Sequence, residues 1–176
     1  MSQKRGVLFV CLGNICRSPI AEAVFAHLIK ERGLTDKWFT DSAATGNSFS
    51  FDFSLNFNNY CLSVPLGSWH CGNRPDKRAQ NVLKRFGVEY DHRARQISDE
   101  DFIRFDFIFG MDDNNISDIN ELKPKGSKSV IELLGKYDPK KQTIIEDPYY
   151  ESGDKGFETN YEQCLRSCTA FLDQFK

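Results

Sequence analysis

The sequence has no strong excess of either charge: 23 basic residues stand against 25 acidic ones, for a net charge of −2. That excludes a general affinity for nucleic acid or acidic membranes. Long apolar runs are also missing. The opening MSQKRGVLFVCLGN carries basic residues and a short apolar stretch, which breaks at Gly13-Asn14 and reaches a charge at Arg17. It is too short for a signal peptide or for membrane insertion, and a cytoplasmic chain is expected. Six cysteines are present, Cys11, Cys16, Cys61, Cys71, Cys164 and Cys168, but no Cys-x-x-Cys pair and no His-x3-5-His spacing. This argues against structural zinc, and His70-Cys71 with the distant Cys61 is a poor ligand set. Reduced thiols and no metal are expected. With no Gly-Lys-Ser/Thr there is no nucleotide cradle of the Walker type. No repeat or linker divides the chain, so 176 residues of ordinary composition (40% hydrophobic, 27% charged) read as a single domain, 1–176.

What is present is an alternation of strands and helices. Val7 to Val10 is a nearly unbroken apolar run, as in a strand buried on both faces of a parallel sheet. Ser18 suits an N-cap and Pro19 the first helical position. Ile20, Ala21, Val24, Phe25, Leu28 and Ile29 then recur with helical spacing up to Arg32-Gly33. Further strands are expected at Phe39 to Ala44, Phe105 to Asp112 and Val130 to Leu134. Helices are expected at Pro75 to Phe86, from a Ser98 cap through Phe105, from the polar residues after Asp112 to about Leu122, and from Phe157 through Leu172. The pattern predicts an α/β fold: a four-stranded parallel sheet flanked by helices.

In such folds ligands sit outside the carboxyl ends of the strands, at a turn into a helix. The stretch VCLGNICRSP, Val10 to Pro19, occupies such a turn. A loop entering a helix N-terminus aims several backbone N–H groups, and the positive end of the dipole, at one point. Arg17 adds a planar fork that matches phosphate bidentately. The same field favours the thiolate of Cys11 over the thiol. A hydroxyl on Ser18 can hydrogen-bond that sulfur, steadying it and helping it leave. The arrangement places a nucleophile at the bottom of a phosphate cradle. Cys16 can trap an oxidised Cys11 as a reversible disulfide.

VLFVCLGNICRSPIAEAVF, together with IIEDPYY, resembles the low-molecular-weight protein tyrosine phosphatases (acid phosphatases). DSAAT, ARQI, DEDF, IELLGKYDP and the closing helix are similar too, so the resemblance covers nearly the whole chain except Gly46 to Gly67. It implies hydrolysis of phosphotyrosine proteins or peptides, and of small aryl phosphates, through a phosphocysteine on Cys11, with no metal or cofactor. Arg17 and the loop amides from Leu12, Gly13, Asn14, Ile15 and Cys16 to Ser18 would bind the phosphate. Phenolate leaves with a pKa near 10, and the resemblance implies Asp147 as the acid that protonates it and the base that then activates water. Taken alone, Asp147-Pro148 reads as a turn. Tyr149, Tyr150 and Trp69 match positions that wall the cleft; Asn14, Ser42 and His92 match positions that hold the loop in shape. An aliphatic residue at Ile15 goes with phosphotyrosine in this family, and threonine with phosphoarginine. Related arsenate reductases need two further cysteines downstream, and Tyr90 to Phe109 has none.

The segment from Gly46 to Gly67 stands apart. It has no lysine or arginine, one acid (Asp52), and four of the chain's fifteen phenylalanines, Phe49, Phe51, Phe53 and Phe57. Alternation of Phe49, Phe51, Phe53 and Leu55 with polar residues fits a hairpin strand or an elaborated loop. It also fits a retained intron. If Gly46 is encoded as G-GT and Leu66 ends in TA before Gly67, the intervening bases begin GT, end AG and stay in frame. Removing them gives DSAATGSWHCGNRPDKRA. Residues 47–67 are therefore expected to be an insertion beside the cleft mouth, a product of alternative splicing. Its phenylalanines invite weak self-association, and a catalytically impaired variant that only binds phosphotyrosine or a partner is the alternative function.

Overall fold

The computed structural model describes residues 4–46 and 70–175; the insertion at 47–67 and Trp69 lie outside the described residues. In chain order the elements are β1 (Arg5–Cys11), α1 (Arg17–Glu31), β2 (Trp38–Ala44), α2 (Lys77–Arg85), α3 (Asp101–Arg104), β3 (Phe107–Gly110), α4 (Asp113–Leu122), β4 (Val130–Leu133), a 3-10 turn (Leu134–Tyr137) and α5 (Lys155–Asp173). The strands form one all-parallel sheet in the order β2-β1-β3-β4. The expected α/β architecture is the observed one.

Alternation along β1 divides the core in two. Val7, Phe9 and Cys11 face a larger cluster built with α1, α2 and α5, while Leu8 and Val10 face a smaller one with Phe102, Phe105, Ile108 and Ile119. Val7 to Val10 are fully buried, which explains why the strand reads as an unbroken apolar run. On the larger side Phe171 of α5 meets Phe25, Trp38, Phe107, Phe109 and Tyr137, with ring centroids 5.0–6.3 Å apart. Edge-on aromatic packing of this kind locks α5 against the sheet.

The structure corrects several local expectations. Ser18 is not the N-cap of α1; the helix begins at Arg17, and the cap position, Cys16, makes no side-chain capping bond. The Ser18 hydroxyl is directed into the loop instead. Helix α2 starts at Lys77, because Asp76 is extended and caps it by accepting the Arg78 N–H at 2.8 Å. Ser98 does not cap α3. The acceptor is the buried Asp101 carboxylate, which takes the Ser98 N–H at 2.9 Å. Strand β3 is shorter than the Phe105 to Asp112 run: Phe105 still bonds back to Asp101, and the Asp106 carboxylate accepts from Gly6 N–H.

One consequence of the strand order positions the site. From β1 the chain turns through α1 to β2 on one side, then crosses to β3 on the other. The carboxyl end of β1 is thus the point where the winding reverses, and a crevice opens there.

Candidate active site

At that crevice lies a cavity of about 270 Å³. Its floor is Cys11, Leu12, Gly13, Ile15, Cys16 and Arg17, and its walls are His70, Asp147, Tyr149 and Tyr150. Nine residues singled out in the sequence line one space. Asn14, Ser18, Ser42 and His92 stand behind the loop. Trp69 falls outside the described residues.

The loop is held by Asn14, which is fully buried and adopts φ +53°, a left-handed conformation that asparagine tolerates better than most residues. Its hydrogen bonds fix the protons of the whole cluster. Arg95 N–H can only donate, so the Asn14 atom it meets at 3.0 Å is the carbonyl oxygen. His92 Nε2, 2.8 Å from the same oxygen, must carry a hydrogen. The Asn14 amide nitrogen then donates to Ser18 Oγ at 2.9 Å and Ser42 Oγ at 2.8 Å. Ser42 passes its own proton to Glu22, 2.6 Å away, and Tyr90 also donates to Glu22 at 2.6 Å. Ser18 Oγ, which accepts from Asn14, lies 3.1 Å from Cys11 Sγ, within hydrogen-bond reach of the sulfur. When Cys11 attacks as a thiolate it has no proton to give, and Ser18 is then the donor of this bond. Burial lowers the His92 pKa, opposed by the charge of Asp41.

Arg17 is 4% exposed and braced on both forks. One terminal nitrogen donates to Asp112 at 2.5 Å and to the Ile145 carbonyl at 3.2 Å; the other donates to Asp147 at 2.9 Å. Burial works against its charge, but the charges of Cys11, Asp147 and Asp112 outweigh it and raise its pKa. Burial, reinforced by Cys11, pushes the neighbouring Cys16 thiol well up. Cys16 is held as the neutral thiol.

Asp147 arrives on the loop before α5. Ile145 N–H bonds the Met111 carbonyl at the end of β3, and Asn160 of α5 donates to the Glu146 carbonyl. Gly156 lets that loop lie on α5, since a Cβ there would stand 2.6 Å from the Glu151 carboxylate and 2.9 Å from Pro148. Tyr149 N–H bonds Asp147 Oδ1 at 3.1 Å, and the rings of Tyr149 and Tyr150 meet edge-on at 5.1 Å.

Sequence reasoning missed Asp112, Glu22, Tyr90 and His70. Asp112 carried a usable signal: it follows the carboxyl end of β3 and caps α4 through Asn115 N–H, the same position relative to its strand that the Cys11 loop holds on β1. Glu22 looks like one more polar residue on an amphipathic helix, and only the fold brings it to Ser42 and Tyr90.

A buried thiol at a strand end, an arginine fork and a facing carboxylate define the class: an α/β protein built to hold an oxyanion against a nucleophilic sulfur. Comparison with known proteins makes this specific. The profile of the family described as low molecular weight phosphotyrosine protein phosphatase matches residues 6–53 and 55–176. The rat low molecular weight phosphotyrosine protein phosphatase is 48% identical over 97% of this chain and 95% of its own length. The crystal structure of Primo-1 superposes with a TM-score of 0.81 at 44% identity, covering 97% of both chains. The drosophila arginine phosphatase gives 0.80 at 39% identity, again over 97% of each. The chain belongs to the low molecular weight phosphotyrosine protein phosphatase family.

Proposed function

We propose that the chain hydrolyses phosphotyrosine in proteins or peptides, and small aryl phosphates, through a phosphocysteine on Cys11. The observation that carries this is the Ser18 hydroxyl 3.1 Å from Cys11 Sγ, at the cavity that Cys11 lines together with Arg17 and Asp147. The thiolate attacks phosphorus in line while the loop amides and Arg17 hold the non-bridging oxygens. Before substrate enters, Asp147 occupies one side of that fork. The incoming phosphate competes for it. Displaced from the fork, Asp147 takes a proton from solvent and hands it to the phenolate as the P–O bond breaks. It then removes a proton from water, which attacks phosphorus and breaks the P–S bond. Inorganic phosphate leaves and the thiolate is restored, with Ser18 receiving its charge.

An aryl substrate suits the walls. Leu12 is 43% exposed and Tyr149 41%, and with Ile15 they offer apolar and flat surface on which a phenyl ring can lie. Assay of phosphotyrosine and phosphoarginine peptides in a metal chelator tests the reading. Faster turnover of phosphotyrosine is expected; preference for phosphoarginine would overturn it.

The silent-binder alternative is not favoured, since family membership runs through the chain. We further read the protein as one domain with residues 47–67 inserted, acting in the cytoplasm. No helix among the described residues is long and apolar enough to cross a membrane. Weak self-association through the Phe-rich segment belongs to this reading, and sedimentation with and without residues 47–67 tests it.

A further inference from the structure

We infer that Arg78, in the first turn of α2, is a positioning residue that holds the Asp147 loop over the phosphate site and so governs protonation of the leaving group. The inference rests on the phosphatase reading above.

Arg78 lies more than seventy residues before the acid loop yet binds it directly. One terminal nitrogen donates to the Glu151 carbonyl at 2.7 Å, and the other to the Tyr149 carbonyl at 3.0 Å. The remaining edge of the guanidinium pairs with Asp76: Nε to Oδ1 at 3.0 Å and the second terminal nitrogen to Oδ2 at 2.9 Å. Its flat face lies 4.5 Å from the centre of the fully buried Phe157 ring on α5. Asp76 in turn donates its backbone N–H to the Ile15 carbonyl of the phosphate loop at 2.8 Å. One side chain thus ties three parts together: the loop that holds the phosphate, the cap of α2, and the loop that carries Asp147.

The arrangement needs a planar fork with donors on both edges. Lysine supplies one point charge and cannot reach Asp76 and two carbonyls at once. The two carbonyls lie just after Asp147, and Tyr149 N–H bonds the Asp147 carboxylate. Loosening the Arg78 guanidinium releases the acid loop directly, whereas the phosphate loop keeps its link to α2 through backbone groups, the Asp76 N–H bond to the Ile15 carbonyl and the Arg78 N–H bond to the Asp76 carboxylate. A misplacement of about 1 Å at a reacting group can cost on the order of 100-fold.

The prediction is a loss that depends on the leaving group. Phenyl phosphate, whose phenolate needs a proton, and an activated dinitrophenyl phosphate, whose leaving group does not, are to be assayed with Arg78→Met, Arg78→Lys and Asp147→Asn. Both Arg78 variants should lose roughly 30-fold or more in kcat on phenyl phosphate and less than about 3-fold on the dinitrophenyl ester. Inhibition by inorganic phosphate should be unchanged. In the Asp147→Asn background, Arg78→Met should cost nothing further. Equal losses on both esters, a loss that persists without Asp147, or no loss would each overturn the inference. If Arg78→Met does not melt cooperatively, Arg78→Lys carries the same comparison. A wild-type chain inactive on both esters would instead refute the phosphatase reading itself.

Discussion

Ser18 places its hydroxyl 3.1 Å from Cys11 Sγ while accepting from Asn14, so it can donate to that sulfur whenever the sulfur is a thiolate. The sulfur needs this donor twice, when it attacks as a thiolate and when it leaves the phosphocysteine. Removing a single donor aimed at a developing charge costs roughly 100-fold. Ser18→Ala is therefore expected to lower kcat by about that factor and to slow the second step more, giving a burst of phenol in stopped-flow assays. Unchanged kcat would show that the hydroxyl has only a packing role.

Asp112 supplies the second brace on Arg17, at 2.5 Å opposite the 2.9 Å contact with Asp147. On the proposed displacement of Asp147 by phosphate, Asp112 is the brace that would keep the fork aimed. Asp112→Asn should reduce kcat/KM by roughly 10- to 100-fold and weaken inhibition by inorganic phosphate in parallel. Steady-state kinetics on one aryl phosphate checks both effects, and an unaltered phosphate inhibition constant would contradict the assignment.

Away from the site, Asp138 beside the 3-10 turn is held by Arg166 of α5 through bonds of 3.0 and 2.8 Å. Burial pushes the Asp138 pKa up, but the Arg166 bonds outweigh it and the carboxyl titrates below its ordinary value. A pKa lowered on folding contributes stability that is complete above the unfolded value and is lost as pH falls through the folded one. Arg166→Met strips both of these bonds from a buried carboxylate, which keeps the Lys140 N–H, and should cost about 2 kcal/mol at pH 7. The gap from wild type should narrow below about pH 4. Urea melts at neutral and acid pH measure it; a gap that stayed constant would mean lost packing rather than lost charge pairing.

The parts of the site that lie together in the sequence were legible there. Residues Cys11 to Arg17 are contiguous, and strand, turn and helix fix their geometry locally. The four parallel strands were equally visible, because burial on both faces leaves apolar runs such as Val7 to Val10. What could not be read is what the fold brings together from afar. Asp112 reaches Arg17 only because β3 lies beside β1, and Arg78 reaches the Tyr149 carbonyl only because α2 packs near the start of α5. Ser18 shows the opposite failure. Its local signal as a helix cap was clear, but Cys11 and Asn14 compete for the same hydroxyl and win.

The reading of residues 47–67 as an insertion can be tested independently of its origin. Lengthening a loop costs entropy that grows only logarithmically with length, and every described group of the phosphate loop and the acid loop lies elsewhere in the chain. Deleting Asn47 to Gly67 is expected to leave kcat on a small aryl phosphate within about 3-fold while changing KM for a phosphotyrosine peptide. Genomic DNA lacking GT or AG at the two boundaries would end the retained-intron account without affecting this kinetic expectation.

The most direct test of the central claim is to trap the covalent intermediate. Asp147→Asn, mixed with an activated aryl phosphate and quenched in acid within milliseconds, should carry one phosphoryl group on the peptide containing Cys11, with none in Cys11→Ser. A phosphoryl group on any other residue, or turnover by Cys11→Ser at the wild-type rate, would contradict the account.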